Sequence, residues 1–277
     1  MRDLSLPVDS ILGILYRPSI KRVVHATGSQ KRAKKIYWII YNFAGPNIKH
    51  VEVSGAKAKF NIVSLSALRV VNAATGVERP VIDDLIKSIE PGDVFYDIGA
   101  NSGVYSCLIA DILSDGDIVA FEPYPPTVEL LESNLEINEV DATVMDVALA
   151  DGDGGSSMTL HSNKEAGAEE HSLSRYSPND NGVGSVEVAL REGDSVVDDY
   201  DLPNPTVIKM DVEGAAPDAL SGLERTIKQS NCRRIYVEPH GNSENIESLL
   251  ENYGFDIEYI QLVGRRSTEP PTIVGMK

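Results

Sequence analysis

The sequence has few cysteines, few aromatic residues and no long apolar run. Its 277 residues include two cysteines, Cys107 and Cys232, one tryptophan and 6% aromatic residues. Two cysteines without neighbours at metal-ligand spacing exclude a disulfide framework, and we expect two buried thiols in a reducing cytoplasm. The longest apolar run, Ile36–Ile40, is far shorter than the roughly 20 residues of a membrane-spanning helix. The sequence thus predicts a cytoplasmic globular protein.

Basic residues are also scarce, and they are unevenly distributed. The chain has 25 lysines and arginines against 42 acidic residues, a formal charge of −17. Residues 1–60 hold 11 of the basic residues and only 3 acidic ones, so the remainder is strongly acidic. An acidic body repels phosphate backbones, which argues against a nucleic acid partner. Because salt screens such self-repulsion, we also expect a halophilic source.

The basic N-terminal segment, from Arg17 to Lys35, precedes the apolar stretch Ile36–Tyr41. Basic residues beside an aromatic-rich apolar patch allow a weak membrane-surface contact. The alternative is an ordinary buried segment, which the lack of a sustained amphipathic period favours. Farther on, Val51–Val53 and Phe60–Ile62 alternate around a Ser-Gly pair, which predicts a β-hairpin. We divide the chain into residues 1–77, this N-terminal segment with its hairpin, and residues 78–277.

The second part shows strands that alternate with helices. A helical stripe follows Pro80, and apolar strands recur to the end of the chain, at Val94–Ile98, Ile118–Phe121, Thr143–Val147, Val207–Met210, Arg234–Val237, Phe255–Ile260 and Thr272–Met276. Helical stripes separate most of them, which predicts a largely parallel α/β sheet that is covered on both faces.

The first of these strands leads into a glycine-rich turn, residues 97–103, that opens a helix. Such a turn cradles nucleotide-like ligands in doubly wound sheets. A dinucleotide fingerprint would have glycine where Asn101 stands, so binding of a pyrophosphate is disfavoured. A zwitterionic ligand suits the turn better, because Asp97 could meet an ammonium group and the turn amides a carboxylate.

Two further acidic residues end neighbouring strands of the predicted sheet. Glu122 lies about 20 residues beyond the glycine turn, where an acidic residue can accept both hydroxyls of a ribose. Asp146 ends the third strand and could accept an adenine amine, or it could be a solvated turn residue. The three strand ends together predict a nucleoside site.

These segments resemble the FkbM family of S-adenosylmethionine-dependent methyltransferases. The resemblance rests on Asp97–Gly103, Phe121-Glu122-Pro123, Ile208–Ala215 and Val237–His240, and it covers roughly residues 78–260. It implies a Rossmann-like class I sheet with an antiparallel last strand, S-adenosylmethionine as cofactor, and methyl transfer to a hydroxyl oxygen. By analogy with relatives, it implies a small-molecule or glycan acceptor.

The resemblance also implies roles for individual residues. The methionine moiety of the cofactor would be held by the turn, the ribose by Glu122, and the adenine by Asp146 with Val147. The residues of the turn are Asp97, Gly99, Ala100, Asn101 and Gly103.

Methyl transfer needs an acceptor oxygen that is aligned with the methyl group, and a group that removes the proton of that oxygen. Lys209, Asp211, Glu213 and His240 all lie at carboxyl ends of predicted strands, where ligands bind in open α/β sheets. Asp211, Glu213 or His240 could be the base, while Lys209 could simply neutralise the carboxylates. The pattern fixes no ligand count, so we predict no metal. A nicotinamide-dependent enzyme and a non-catalytic binding module are the alternative functions.

Between Asp151 and Ser195 the alternation stops and small polar residues dominate. Two apolar pieces, Met158–Leu160 and Val186–Leu190, could pair as an antiparallel ribbon. The segment leaves one strand end of the site and returns to another. We expect Lys164–Ser185 to be a mobile lid that excludes water during the reaction, with a solvated insertion as the alternative.

Overall fold

The structure is a computed structural model that describes Trp38, Tyr41 and residues 47–160, 166–167, 172–173, 184–229, 231–264 and 270–277. The basic stretch with the expected membrane contact and most of the expected lid lie outside these residues. Trp38 stacks on Tyr41, and Tyr41 is buried in the hydrophobic core. These two aromatic residues therefore pack inward.

The predicted hairpin is confirmed. Strands β1 (Ile48–Val53) and β2 (Ala56–Asn61) pair antiparallel around Ser54 and Gly55, whose φ angles are 49° and 94°. Two consecutive positive φ angles are typical of the two-residue turns that match the twist of a hairpin.

Helices α1 (Leu65–Ala74) and α2 (Arg79–Ser88) follow the hairpin. The Ser64 hydroxyl accepts the Ala67 N–H and so caps the start of α1, while Pro80 opens α2. The apolar stripe of α2 is buried, as its spacing predicts.

Strands and helices alternate through most of the remaining elements, but the elements described within residues 143–192 are all strands, as are those within residues 256–276. In chain order they are β3 (Val94–Ile98), α3 (Val104–Ala110), β4 (Asp117–Phe121), α4 (Pro125–Ile137), β5 (Thr143–Met145), β6 (Ala148–Ala150), β7 (Gly154–Leu160), β8 (Ser172–Leu173), β9 (Gly184–Glu192), α5 (Gly193–Asp199), β10 (Val207–Met210), α6 (Ala216–Gly222), α7 (Glu224–Gln229), β11 (Arg234–Val237), α8 (Ser243–Asn252), β12 (Asp256–Ile260) and β13 (Thr272–Met276).

In the part of the chain that the structure describes, seven strands form the central sheet in the order β12-β13-β11-β10-β3-β4-β5. Neighbours from β11 to β5 pair in parallel, and β13 runs antiparallel between β11 and β12. The predicted Rossmann-like sheet with an antiparallel last strand is confirmed. Its central strands are buried on both faces, which explains their mainly apolar sequences.

The third strand is shorter than predicted. It ends at Met145, Asp146 is exposed, and the chain then enters a second sheet of order β6-β9-β7-β8. The predicted ribbon is confirmed here, because Met158 pairs with Val186 and Leu160 with Gly184.

The second sheet also has a small apolar core of its own, which its polar composition did not predict. In β9, Val188 and Leu190 are buried and the residue between them is exposed, as a sheet with one buried face requires. Met158 and Leu160 of β7 belong to the same core. They pack on Tyr124, Ala150 and Ala215.

The hairpin is bound tightly to the sheet domain. The backbone N–H groups of Lys57, Lys59 and Asn61 donate to Asp111, Asn138 and Asn134, at 2.8, 2.7 and 2.8 Å. The hairpin, α1 and α2 share one hydrophobic core with β3 and α3. The division at residues 77 and 78 therefore marks a change of sequence pattern, and it stays a prediction.

Within the described ranges, no helix combines the length and apolar character needed to cross a bilayer. Cys107 and Cys232 are buried free thiols, as predicted.

Candidate active site

A cavity of about 410 Å³ opens at the carboxyl ends of β3, β4 and β10. The strand order reverses between β3 and β10, the place where open α/β sheets bind their ligands. The volume lies in the range of small-molecule sites. Residues with polar or charged groups on its wall are Glu78, Asn101, Tyr105, Glu122, Thr127, Lys209, Asp211, Glu213, Glu238 and His240.

The glycine turn forms the floor of this cavity. The N–H groups of Gly99 and Ala100 both donate to the carbonyl of Phe121, at 2.9 and 3.0 Å. Gly99 has φ +77°, and a Cβ there would lie 2.0 Å from the carbonyl oxygen of Asp211. Glycine is therefore required at this position both by conformation and by the close approach of the next strand. Asn101 and Gly103 also have positive φ angles, 50° and 75°.

Asp97 lies beneath the turn and does not line the cavity. It is completely buried, and its Oδ2 accepts the Ser106 N–H at 3.1 Å and the Ser106 hydroxyl at 2.7 Å. Its Oδ1 accepts no hydrogen bond from the described residues and lies 3.6 Å from Lys209 Nζ. In this arrangement Asp97 orders the start of α3 and balances Lys209, and the predicted contact with an ammonium group stays a prediction.

Glu122 sits at the end of β4 with its carboxylate already oriented. Its Oε2 accepts the Asn101 N–H at 3.1 Å and its Oε1 accepts the Tyr124 N–H at 2.9 Å. Burial raises the pKa of Glu122 to about 7, although the two backbone hydrogen bonds oppose the rise. Each oxygen keeps a further lone pair, so the carboxylate can still accept ligand hydroxyls.

The two residues predicted to contact adenine are placed differently. Val147 is buried and lines the cavity beside Leu149, whereas Asp146 is exposed and is not on the wall. The early end of β5 explains the difference, because the chain turns away at Asp146. A contact of Asp146 with adenine stays a prediction.

Lys209 connects the floor of the cavity with its wall. Its Nζ donates to the Gly99 carbonyl at 3.3 Å, lies 3.8 Å from Asp211 Oδ2, and stands 4.6 Å from the centre of the Tyr105 ring. Burial lowers the pKa of Lys209, but the surrounding carboxylates, first that of Asp97, raise it more. The ammonium group therefore stays charged.

His240 lies between the two carboxylates that follow β10. Its Nε2 is 2.8 Å from Asp211 Oδ1, and its Nδ1 is 3.2 Å from Glu213 Oε2. Burial would lower the pKa of His240, but the hydrogen bond to Asp211 and the charge of Glu213 raise it to about 9. The structure thus brings together the four residues that the sequence predicted for catalysis, with the imidazole protonated at neutral pH.

Sequence reasoning missed Glu78 and Glu238 as members of this wall. Glu78 precedes α2, and the Tyr105 hydroxyl donates to its Oε2 at 3.0 Å. Burial and the charge of Asp211 raise the pKa of Glu78 to about 7. A single acidic residue before a helix gives no signal of such a position, whereas Glu238 stands next to His240 at a strand end and could have been found.

Ligand atoms of Asp211, Glu238 and His240 all lie within 4.8 Å of one another, a spacing that a divalent cation could bridge. Positive charge is already present there, from Lys209 and from the protonated imidazole. We therefore assign no metal to this cluster.

A wider cleft of about 910 Å³ runs between the hairpin and α3. It carries none of the predicted site residues and lies away from the carboxyl ends of the strands, so we place the site in the smaller cavity.

Comparisons with known proteins show the family of the chain. Residues 97–257 match the methyltransferase FkbM domain family. The hexuronic acid methyltransferase AglP of Haloferax volcanii is 25% identical over 225 residues, which cover 79% of this chain and 89% of that protein. The methyltransferase sdnD of Sordaria araneosa is 28% identical over 200 residues, or 62% of this chain and 77% of the relative. Among solved structures, magnesium protoporphyrin IX methyltransferase (ChlM) from Synechocystis PCC 6803 with bound SAM is 12% identical, with a TM-score of 0.44 over 78% of this chain and 85% of that chain.

Proposed function

The chain belongs to the FkbM methyltransferase family, and we propose that it methylates a hydroxyl oxygen of a sugar with S-adenosylmethionine as its cofactor. The observation that carries the proposal is a single cavity that joins a nucleoside-type carboxylate, Glu122, to the Asp211–His240–Glu213 cluster. Family membership sets aside the nicotinamide-dependent alternative. The Asp211–His240–Glu213 cluster argues against a non-catalytic binding module, because such a module would not need it.

The residues on the floor and one side of the cavity fit S-adenosylmethionine. Glu122 can accept the ribose hydroxyls, Val147 can pack on the adenine, and the turn at Gly99–Gly103 leaves room for the methionine tail. When bound, the cofactor supplies an electrophilic methyl group on its sulfonium. The protein must then orient the acceptor oxygen and take up its proton.

We assign proton removal to Asp211. His240 has both ring nitrogens engaged by carboxylates and is protonated at neutral pH, so it cannot accept a proton there. Its positive charge holds Asp211 and Glu213 in place, and Lys209 supports Asp211 from the other side. Asp211 follows β10 directly, its backbone carbonyl approaches Gly99, and the residue lines the same cavity as the glycine turn.

The sugar is proposed from AglP, whose description names a hexuronic acid, and from the character of the wall. Carboxylates such as Glu213 and Glu238 accept hydrogen bonds from hydroxyl groups, the groups that a sugar offers in abundance. We further propose a cytoplasmic location from the two buried thiols, and a halophilic source from the acidic body and the Haloferax relative.

The assignment of Asp211 is tested with the Asp211→Asn protein. Asparagine keeps the size and still accepts a hydrogen bond, but it cannot take up the proton. We expect turnover to fall by roughly 100- to 10,000-fold, while the affinity for S-adenosylhomocysteine in calorimetry stays within about threefold. Asp256→Asn, an exposed residue on β12, is the matched control. Turnover retained by Asp211→Asn would contradict the assignment.

A further inference from the structure

The amino-acid tail of S-adenosylmethionine carries an ammonium group that needs an anionic partner. The sequence predicted Asp97 as this partner. In the structure its carboxylate is buried below the turn, accepts the Ser106 hydroxyl and forms an ion pair with Lys209. Contact with a ligand in the cavity would require the turn to open. Another carboxylate that already faces the cavity is better placed.

Glu78 meets this requirement. It is half-buried, lines the cavity together with Gly99 and Val104, and accepts the Tyr105 hydroxyl through Oε2 alone. Among the described residues, no hydrogen-bond donor to its Oε1 is recorded, which leaves that oxygen available to a ligand.

The position of Glu78 relative to the turn is fixed by a short chain of contacts. Tyr105 belongs to the first turn of α3, directly after the glycine turn. Its ring contacts the Lys209 ammonium, which in turn donates to the Gly99 carbonyl. Glu78 is therefore held near the end of the turn that the methionine tail would occupy.

The other carboxylates of the wall have different tasks. Asp211 and Glu213 hold His240, and ligand atoms of Glu238 lie within 4.8 Å of Asp211 and His240. Glu122 is oriented by two backbone N–H groups at the end of β4. Burial and the charge of Asp211 raise the pKa of Glu78 to about 7, so a bound cation would favour its ionised form.

We propose that Glu78 binds the α-ammonium group of the cofactor, with Tyr105 as the residue that positions its carboxylate. The inference rests on the proposed function. It extends the cofactor site to the connection between α1 and α2, outside residues 97–257, which match the family. The connection between α1 and α2 then contributes to cofactor recognition as well as to packing.

The test compares two ligands by calorimetry. One is S-adenosylhomocysteine, and the other is its deamino analogue, which keeps the adenine, ribose, sulfur and carboxylate. Glu78→Gln should weaken binding of S-adenosylhomocysteine about tenfold, while its affinity for the deamino analogue stays within about twofold of the unsubstituted protein. Tyr105→Phe should show a smaller loss with the same dependence on the ligand. Glu129→Gln, exposed on α4, is the control.

Equal losses for the two ligands, or no loss for either, would overturn the proposal. Failure of the unsubstituted protein to bind S-adenosylhomocysteine would instead contradict the cofactor assignment itself, and the inference with it. Thermal unfolding of each variant verifies that it is folded before binding is measured.

Discussion

Replacing Gly99 by alanine should destabilise the protein far more than the same replacement at Gly254. Both residues have left-handed backbone conformations, with φ angles of +77° and +84°. At Gly254 a Cβ would meet no atom within 4 Å, whereas at Gly99 it would lie 2.0 Å from the carbonyl oxygen of Asp211. Comparing the two variants therefore separates the free-energy cost of the left-handed conformation from the cost of the contact between Cβ and the Asp211 carbonyl.

The expected magnitudes follow from these two terms. An alanine in the left-handed region costs about 1–2 kcal/mol, and this is the full expected loss for Gly254→Ala. At Gly99 the end of β3 must also move away from β10, and overpacking of this kind adds typically 1–3 kcal/mol. The clash involves backbone on both sides, so no side chain can relieve it. We expect Gly99→Ala to lose roughly 2–5 kcal/mol of unfolding free energy.

The assay is urea unfolding of the two variants and the unsubstituted protein at one fixed salt concentration. Gly103→Ala adds an intermediate case, because a Cβ there would meet Leu131 Cδ1, the end of a flexible side chain, at 2.6 Å. Folded Gly99→Ala protein should also bind S-adenosylhomocysteine poorly, since the displaced turn is the floor of the cavity. Equal losses at Gly99 and Gly254 would refute the argument from close approach.

Three further predictions concern the site itself. Glu122→Ala should weaken binding of S-adenosylhomocysteine by about 1.5–3 kcal/mol in calorimetry, and the affinity of the unsubstituted protein should fall as the pH drops below about 7, where Glu122 becomes protonated. With Asp211 as the base, the turnover rate should stay level from neutral pH and decline above about pH 9, where His240 loses its proton. A turnover rate that rises toward pH 9 would instead indicate that His240 is the base. Dialysis against EDTA should leave turnover unchanged, because Lys209 and His240 already supply positive charge beside Asp211; loss of activity that manganese or magnesium restores would contradict this.

The central sheet could be predicted because its strands are buried on both faces. Val207–Met210 and Arg234–Val237 therefore appear as short, mainly apolar segments with turn residues beside them. The hairpin turn was equally visible, since Ser54-Gly55 supplies two positive φ angles. The end of the third strand was predicted two residues too late, because apolar character alone does not show where Asp146 turns outward.

The candidate site could be predicted in part, because the direction and order of the strands decide which residues meet. Parallel strands bring Glu122, Asp211 and His240 to one edge of the sheet, so their proximity follows from topology. Burial depth does not follow from topology, and Asp97 consequently lies below the floor that it was expected to line. Glu78 reaches the cavity through packing of α1 and α2 against the sheet, a long-range contact without a local pattern.

The central claim, methyl transfer from S-adenosylmethionine to a sugar hydroxyl, is tested most directly with trideuteromethyl-labelled S-adenosylmethionine. The protein is incubated with the labelled cofactor and with neutral and uronic acid glycosides at high salt, and the products are analysed by mass spectrometry. We expect a labelled methyl ether on one sugar, formed in equal amount to S-adenosylhomocysteine and lost in the Asp211→Asn protein. Label recovered on a nitrogen, carbon or carboxylate oxygen of the acceptor, or an undiminished yield from Asp211→Asn, would contradict it.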